Sequence, residues 1–131
     1  MDFPGEINQK HCQRILVTGA NGFIGSKLIV SQFPEHSFYF RAVTRGNIVL
    51  NAPNVESAKV VDIGPFTDWS AALSDIDIVV HLAARVHVMR DKSVDPLSEY
   101  RSVNVQGTIN LAKQAADAGV RRFIYLSSIK V

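Results

Sequence analysis

Five short apolar or β-branched runs recur along this chain, and polar or helically spaced stretches separate them. The first run, Arg14 to Thr18, holds Ile15-Leu16-Val17 and turns directly into glycines. Helical spacing follows from about Phe23 to Phe33, with Phe23, Ile24, Leu28 and Ile29 on one apolar face and Pro34 as its stop. Ser37 to Thr44 alternates as a second strand, and Gly46 to Asn54 is turn-like. Lys59 to Ile63 reads as strand three, closed by Gly64-Pro65. Thr67 or Asp68 would cap a short helix containing Trp69, Ala72 and Leu73. Asp77 to Ala84 is strand four, and its near-continuous apolar core implies burial on both faces, as in a parallel sheet.

After an irregular stretch from Arg85 to Ser93, the longest helical pattern runs from Pro96 to Ala118. Leu97, Tyr100, Asn104, Thr108, Leu111 and Ala115 share one side of it, and Gly119 ends it. Arg122 to Ser128 is strand five, and Ile129 to Val131 opens a further element. Met1 to Gln13 reads as a leader without periodicity. Strands alternating with helices imply an α/β fold, a doubly wound parallel sheet of Rossmann-like type. Its expected strand order is 3-2-1-4-5, with a ligand lying over the carboxyl ends of strands one and four.

The first strand-to-helix junction carries the most specific chemistry. Thr18-Gly19-Ala20-Asn21-Gly22-Phe23-Ile24-Gly25 spaces its glycines as Gly-x-x-Gly-x-x-Gly. A turn at Gly19 needs a positive φ or a missing Cβ. Gly22 would admit a diphosphate against the backbone, and Gly25 would let the helix lie close on the sheet. The N–H groups and dipole of the helix start then favour phosphate.

This loop resembles the cofactor loop of the extended short-chain dehydrogenase/reductases, the family of nucleotide-sugar epimerases, dehydratases and 4-ketoreductases. The resemblance runs from about Arg14 to Val131 and implies that residues 14–131 are an NAD(P)-binding domain. Thr18, Gly19, Asn21, Gly22, Phe23, Ile24 and Gly25 would then meet the cofactor. So would Asp62-Ile63, the carboxylate accepting from the adenine amine, and the strand-end residues Leu82, Ala83 and Ala84, of which the small pair Ala83-Ala84 would let the dinucleotide lie against the backbone. Tyr100 to Thr108 is similar to the family's central helix motif, which would bring Asn104 near the nicotinamide. Phe123 to Ser128 resembles the segment carrying the family's catalytic Ser or Thr, which would make Ser128 catalytic and put Ser127 beside the cofactor.

Three departures refine that expectation. Where NAD-using members show Asp at the end of strand two, this chain has Thr44-Arg45. Arg45 suits a 2′-phosphate, so the expected cofactor is NAD(P) with a lean to NADP. Where the family's 4-epimerases carry a lysine shortly after the small pair, this chain has Val86, which tilts the reading toward a reductase. The family's Tyr-x-x-x-Lys pair is absent: Tyr39, Tyr100 and Tyr125 are followed at the fourth position by Val43, Asn104 and Ile129. The chain is therefore expected to be the amino-terminal cofactor portion of a longer nucleotide-sugar epimerase or 4-ketoreductase, inactive by itself, with a UDP-sugar as substrate of the whole. A non-catalytic dinucleotide sensor is the other reading.

Composition narrows the remaining classes. The 131 residues are 47% hydrophobic and 20% charged, enough for one domain with a core. A net charge of +2 without a basic block argues against nucleic acid. Cys12 is the single cysteine, so no internal disulfide forms. No apolar run approaches a membrane span, and cytoplasm is the expected location. His81 lies inside a strand, where a structural ring bonded to the neighbouring loop is expected, and His87 lies in the loop beyond. The resemblance also allows a homodimer.

Overall fold

The computed structural model describes residues 12–31, 38–46, 53–84 and 95–126. Five parallel strands form one sheet in the order β3-β2-β1-β4-β5. They are β1 (Gln13–Thr18), β2 (Phe38–Thr44), β3 (Val55–Lys59), β4 (Ile78–His81) and β5 (Arg122–Tyr125). The expected order holds, with every neighbouring pair parallel. Register places Val17 beside Ala42 on one side and Val80 on the other.

Alternation along β1 divides the core between two faces. Ile15 and Val17 join Ala20, Phe40 and Ala42 against Ile29 of α1 (Phe23–Ser31). Leu16 points the other way, into a larger cluster with Val43, Trp69, Leu73, Val79, Leu111 and Ala115. The last two belong to α3 (Gly107–Asp117). Strand β4 contributes to both faces, as its apolar run implies. Val79 is fully buried on one, and Ile78 and Val80 pack from the other.

Four local expectations are corrected. Strand three is Val55–Lys59, not Lys59–Ile63. The denser apolar run lies beyond the strand, where Val60 and Ile63 turn into the core and Val61 is 90% exposed. The pairing residues are more polar because β3 is a sheet edge: Glu56 lies beside Arg41 of β2 and receives its guanidinium. The stretch from Trp69 to Asp75 is a chain of turns rather than a short helix. Its bonds are mixed, Leu73 N–H to Trp69 O, then Ser74 to Ala71 and Ile76 to Leu73, and Asp75 takes φ 61°. Phe23 and Ile24 are 81% and 51% exposed, so the inward face of α1 is Gly25, Leu28 and Ile29.

The long helix also differs in detail. It begins as α2 (Pro96–Arg101), capped by the Asp95 carboxylate on Ser98 N–H. It widens into a π-helical turn over Ser102–Gln106 and continues as α3. A π turn inserts about one residue, or roughly 100° of helical phase. Gly107, Leu111 and Ala115 therefore keep the buried face, while Leu97 is 58% exposed. Gly119 ends the helix as expected: its N–H reaches Ala116 O at 3.1 Å, and Val120 N–H reaches Ala115 O at 3.0 Å. The leader up to residue 11, Phe33, Pro34, the loop from Arg85 to Ser93 and everything after Leu126 lie outside the described residues.

Arg41 ties the turn segment to the sheet. Its Nη1 donates to the carbonyls of Ala72 at 2.7 Å and Ser74 at 2.6 Å, and its Nε donates to Glu56 at 2.6 Å. Burial alone would raise the Glu56 carboxyl; the hydrogen bond and charge of Arg41 outweigh it and hold it below the usual range. Replacing Arg41 with Met leaves two carbonyls and a carboxylate without this partner. Urea unfolding is expected to show a loss of roughly 2 kcal/mol, and an unchanged midpoint would show that Arg41 does not hold the segment.

Candidate functional site

The glycine loop folds as its spacing requires. Gly19 adopts φ +66°, and a Cβ there would come within 2.9 Å of Ala83 N, at the end of β4. Gly22 N–H donates to Gly19 O at 2.9 Å, closing the turn. A Cβ on Gly25 would collide with that same Gly19 carbonyl. Gly25 therefore lets the helix lie close on the loop's own backbone, not on the sheet as expected. The first N–H groups of α1 have no intrahelical partner, and no acidic residue sits in its first turn. That end of the helix suits an anion.

A crevice of about 750 Å³ opens over the carboxyl ends of the strands. Gly19, Asn21 and Gly22 form one wall, and Leu82, Ala83 and Ala84 another. Val43, Thr44, Arg45 and Gly46 from the end of β2 face Val60, Val61 and Ile63 across the far end. Of the residues expected at the cofactor, Thr18 lies buried beneath the loop and Gly25 behind it. Phe23 and Ile24 do not line the crevice. Asp62 is exposed beside Ile63, and Asn104 is half-buried on the π turn. Ser127 and Ser128 lie outside the described residues, as does His87. The residues missed by sequence reasoning, Val43, Thr44, Gly46, Val60 and Val61, mostly flank recognised ones, so the strand-end position was the available signal.

Beneath the crevice runs a directed line of hydrogen bonds. Thr18 Oγ1 accepts from Leu82 N–H at 3.0 Å and Ala83 N–H at 3.1 Å. With both lone pairs used, its proton goes to His81 Nδ1 at 2.6 Å. His81 is then the neutral Nε2–H tautomer and donates to Thr108 Oγ1 at 3.0 Å. Thr108 passes its own proton to Asn104 O at 2.8 Å. The His81 ring thus bonds a strand end and the central helix, not the neighbouring loop. Its role is structural, as expected for a histidine inside a strand.

Among the described residues, no three His, Cys, Asp or Glu side chains gather as a metal site, and no helix is long and apolar enough to cross a membrane.

Comparison with known proteins agrees with this geometry. The model of the NAD dependent epimerase/dehydratase family matches residues 15–131. The chain belongs to that family. A UDP-glucose 4-epimerase from Vibrio cholerae is 44% identical over 124 residues, covering 95% of this chain but 37% of the relative. A 3-beta-hydroxysteroid dehydrogenase from Mycolicibacterium neoaurum is 37% identical over 122 residues, 90% of this chain and 32% of the relative. Among solved structures, MoeE5 in complex with UDP-glucose and NAD superposes with a TM-score of 0.72 at 31% identity. That match covers 90% of this chain and 37% of MoeE5. The chain thus spans about a third of the length of these epimerase/dehydratase relatives, matching the part that carries the Rossmann-like sheet.

Burial pushes the His81 imidazole down from 6.5 to about 4. Between those values the unfolded chain holds a proton that the folded chain does not. The group's contribution is complete above pH 6.5 and is lost as pH falls toward 4, a loss of roughly 3 kcal/mol. Nitrogen NMR, with the His81 signals assigned from a His81→Gln variant, is expected to show a neutral Nε2–H ring from pH 8 down to about 5. A titration midpoint near 6.5 would refute the buried network.

Proposed function

We propose that this chain is the NAD(P)-binding portion of a nucleotide-sugar epimerase or 4-ketoreductase. The observation that carries the reading is the turn from Thr18 to Gly25. Its glycines bring bare backbone and a helix start without an acidic residue to the rim of a crevice of about 750 Å³. In this reading the diphosphate lies on Asn21, Gly22 and the first N–H groups of α1. The adenosine lies between Arg45 and Asp62-Ile63, and the nicotinamide runs along Leu82, Ala83 and Ala84 toward Asn104. Bound NAD(P) would accept or supply a hydride at a sugar carbon. Ser128 would hold the reacting hydroxyl, with Ser127 nearer the cofactor. A UDP-sugar substrate is supported by two relatives: one is a UDP-glucose 4-epimerase and the other holds UDP-glucose with NAD.

Arg45 supports a lean to NADP. It is exposed at the crevice wall, and Thr44 turns its hydroxyl away to Gly46 O at 2.6 Å. Neither residue offers the carboxylate that grips a ribose 2′-hydroxyl, whereas a guanidinium suits a 2′-phosphate.

Titration of NADH and NADPH by fluorescence tests the site. Gly22→Asp is the informative variant, because Asp in that position caps the helix yet sets a negative charge where the diphosphate would lie. Affinity is expected to fall at least about tenfold with circular dichroism unchanged. No binding by the unaltered chain, or equal binding by the variant, would overturn the phosphate-loop reading. Arg45→Asp is expected to reverse an NADPH preference, and equal affinities in both proteins would remove Arg45 from cofactor choice.

Proton transfer at the sugar needs a base that the chain does not pair. With no Tyr-x-x-x-Lys, the 131-residue polypeptide is expected to turn over no UDP-sugar in a steady-state assay. Measurable turnover would show that another group moves the proton.

A further inference from the structure

The segment from Asp62 to Trp69 has no regular structure, yet side chains of α3 hold it. Asn110 Nδ2 donates to the carbonyls of Gly64 at 3.0 Å and Thr67 at 2.9 Å. One helical turn on, Gln114 Nε2 donates to Thr67 O at 2.7 Å and to Asn110 Oδ1 at 2.8 Å. Gln114 Oε1 accepts from Trp69 N–H at 2.8 Å. Both amides thus spend their polar atoms on this one segment and on each other.

The clamp acts on Asp62 and on its neighbour Ile63, of which Ile63 lines the crevice. Thr67, gripped twice through its carbonyl, accepts from Gly64 N–H at 2.9 Å with its hydroxyl. The same hydroxyl lies 3.1 Å from Asp62 O and 3.4 Å from Asp62 Oδ1. Ile63, a crevice residue, packs so near α3 that a Cβ on Gly107 would come within 3.1 Å of its Cγ2. The backbone at Asp62 is thus held from behind, and its exposed carboxylate lies within reach of the same hydroxyl.

We propose that Asn110 and Gln114 are positioning residues for adenine recognition: through Thr67 they place the Asp62 carboxylate where it reads the exocyclic amine. This rests on the reading of Asp62-Ile63 as adenine contacts. Preorganisation of this kind makes selectivity, more than fold, depend on the two amides.

The test compares NADH with reduced nicotinamide hypoxanthine dinucleotide, which carries an oxygen where adenine carries the amine. Both are titrated by fluorescence into the 131-residue chain. The unaltered chain is expected to prefer NADH by roughly tenfold, as a charge-assisted hydrogen bond implies. Gln114→Met and Asn110→Leu, similar in size and without donors, are expected to reduce that preference below about threefold while circular dichroism stays native. Thr67→Val, altered at the half-exposed end of the clamp, gives the same readout should either helix variant fail to fold. A full preference retained in the folded variants, alongside its loss in Asp62→Asn, would overturn the positioning role. A preference untouched by Asp62→Asn, or absent from the unaltered chain, would instead overturn the adenine reading and the proposal with it. Failure to bind either dinucleotide would reject the dinucleotide site itself.

Discussion

The hydroxyl of Thr18 is the point on which the crevice depends. Its oxygen takes two backbone N–H groups from the end of β4 and gives its proton to His81. These bonds are made where β1 and β4 part company, the switch point at which a doubly wound sheet opens. The crossover after β1 covers one face and the crossover after β4 the other, so the strand ends separate there and expose backbone. Thr18 satisfies that backbone from one side, and His81 carries the connection on to Thr108 and the central helix. Only a neutral ring serves. A proton on Nδ1 would face an oxygen already committed to two donors. Burial keeps that second proton off, so the depressed pKa agrees with the hydrogen-bond direction that Thr18 imposes.

Much of the architecture was legible because the two core faces demand strict alternation. Ile15 and Val17 against Leu16, and Ile78 and Val80 against Val79, leave no freedom in how β1 and β4 face. The misread elements are those where burial and pairing separate. The third strand lies on an edge, where hydrogen bonds can be made by Glu56, Ser57 and Lys59. The apolar Val60 and Ile63 serve the core from a loop. The run around Trp69 has the apolar content of a helix, but Arg41 and Gln114 take its carbonyls and N–H groups from outside, so turns suffice. The helical phase from Leu97 to Ala115 was misjudged because a π turn leaves no mark on a hydrophobic pattern counted at 3.6 residues.

The site shows the same division. Glycines of the Thr18–Gly25 turn were legible because their lack of a side chain is the property used: Gly19 abuts Ala83 N, and Gly25 abuts the loop carbonyl. Strand ends were legible by position. Asn110 and Gln114 were not, since a polar residue on a helix reads as a solvated face unless its partners are known. Their partners lie 43 to 47 positions away along the chain, on a loop whose own sequence announces only a turn.

The two ends of the crevice are therefore built from different materials. At the glycine-loop end the contacts are backbone against backbone, and any Cβ at Gly19 or Gly25 disturbs the fold itself. At the far end the wall includes side chains: Arg45 at an exposed turn and Ile63, with Asp62 next to it beside Thr67 and two helix amides behind. None of Arg45, Asp62, Asn110 and Gln114 lies in a strand of the sheet. On the proposed reading, the shared part of the cofactor meets the part of the chain that cannot change. The groups that distinguish one dinucleotide from another, the 2′ position and the base edge, meet the part that can. On that reading selectivity is separable from fold, because the crevice meets bare backbone at the glycine loop and side chains on supported loops at its far end.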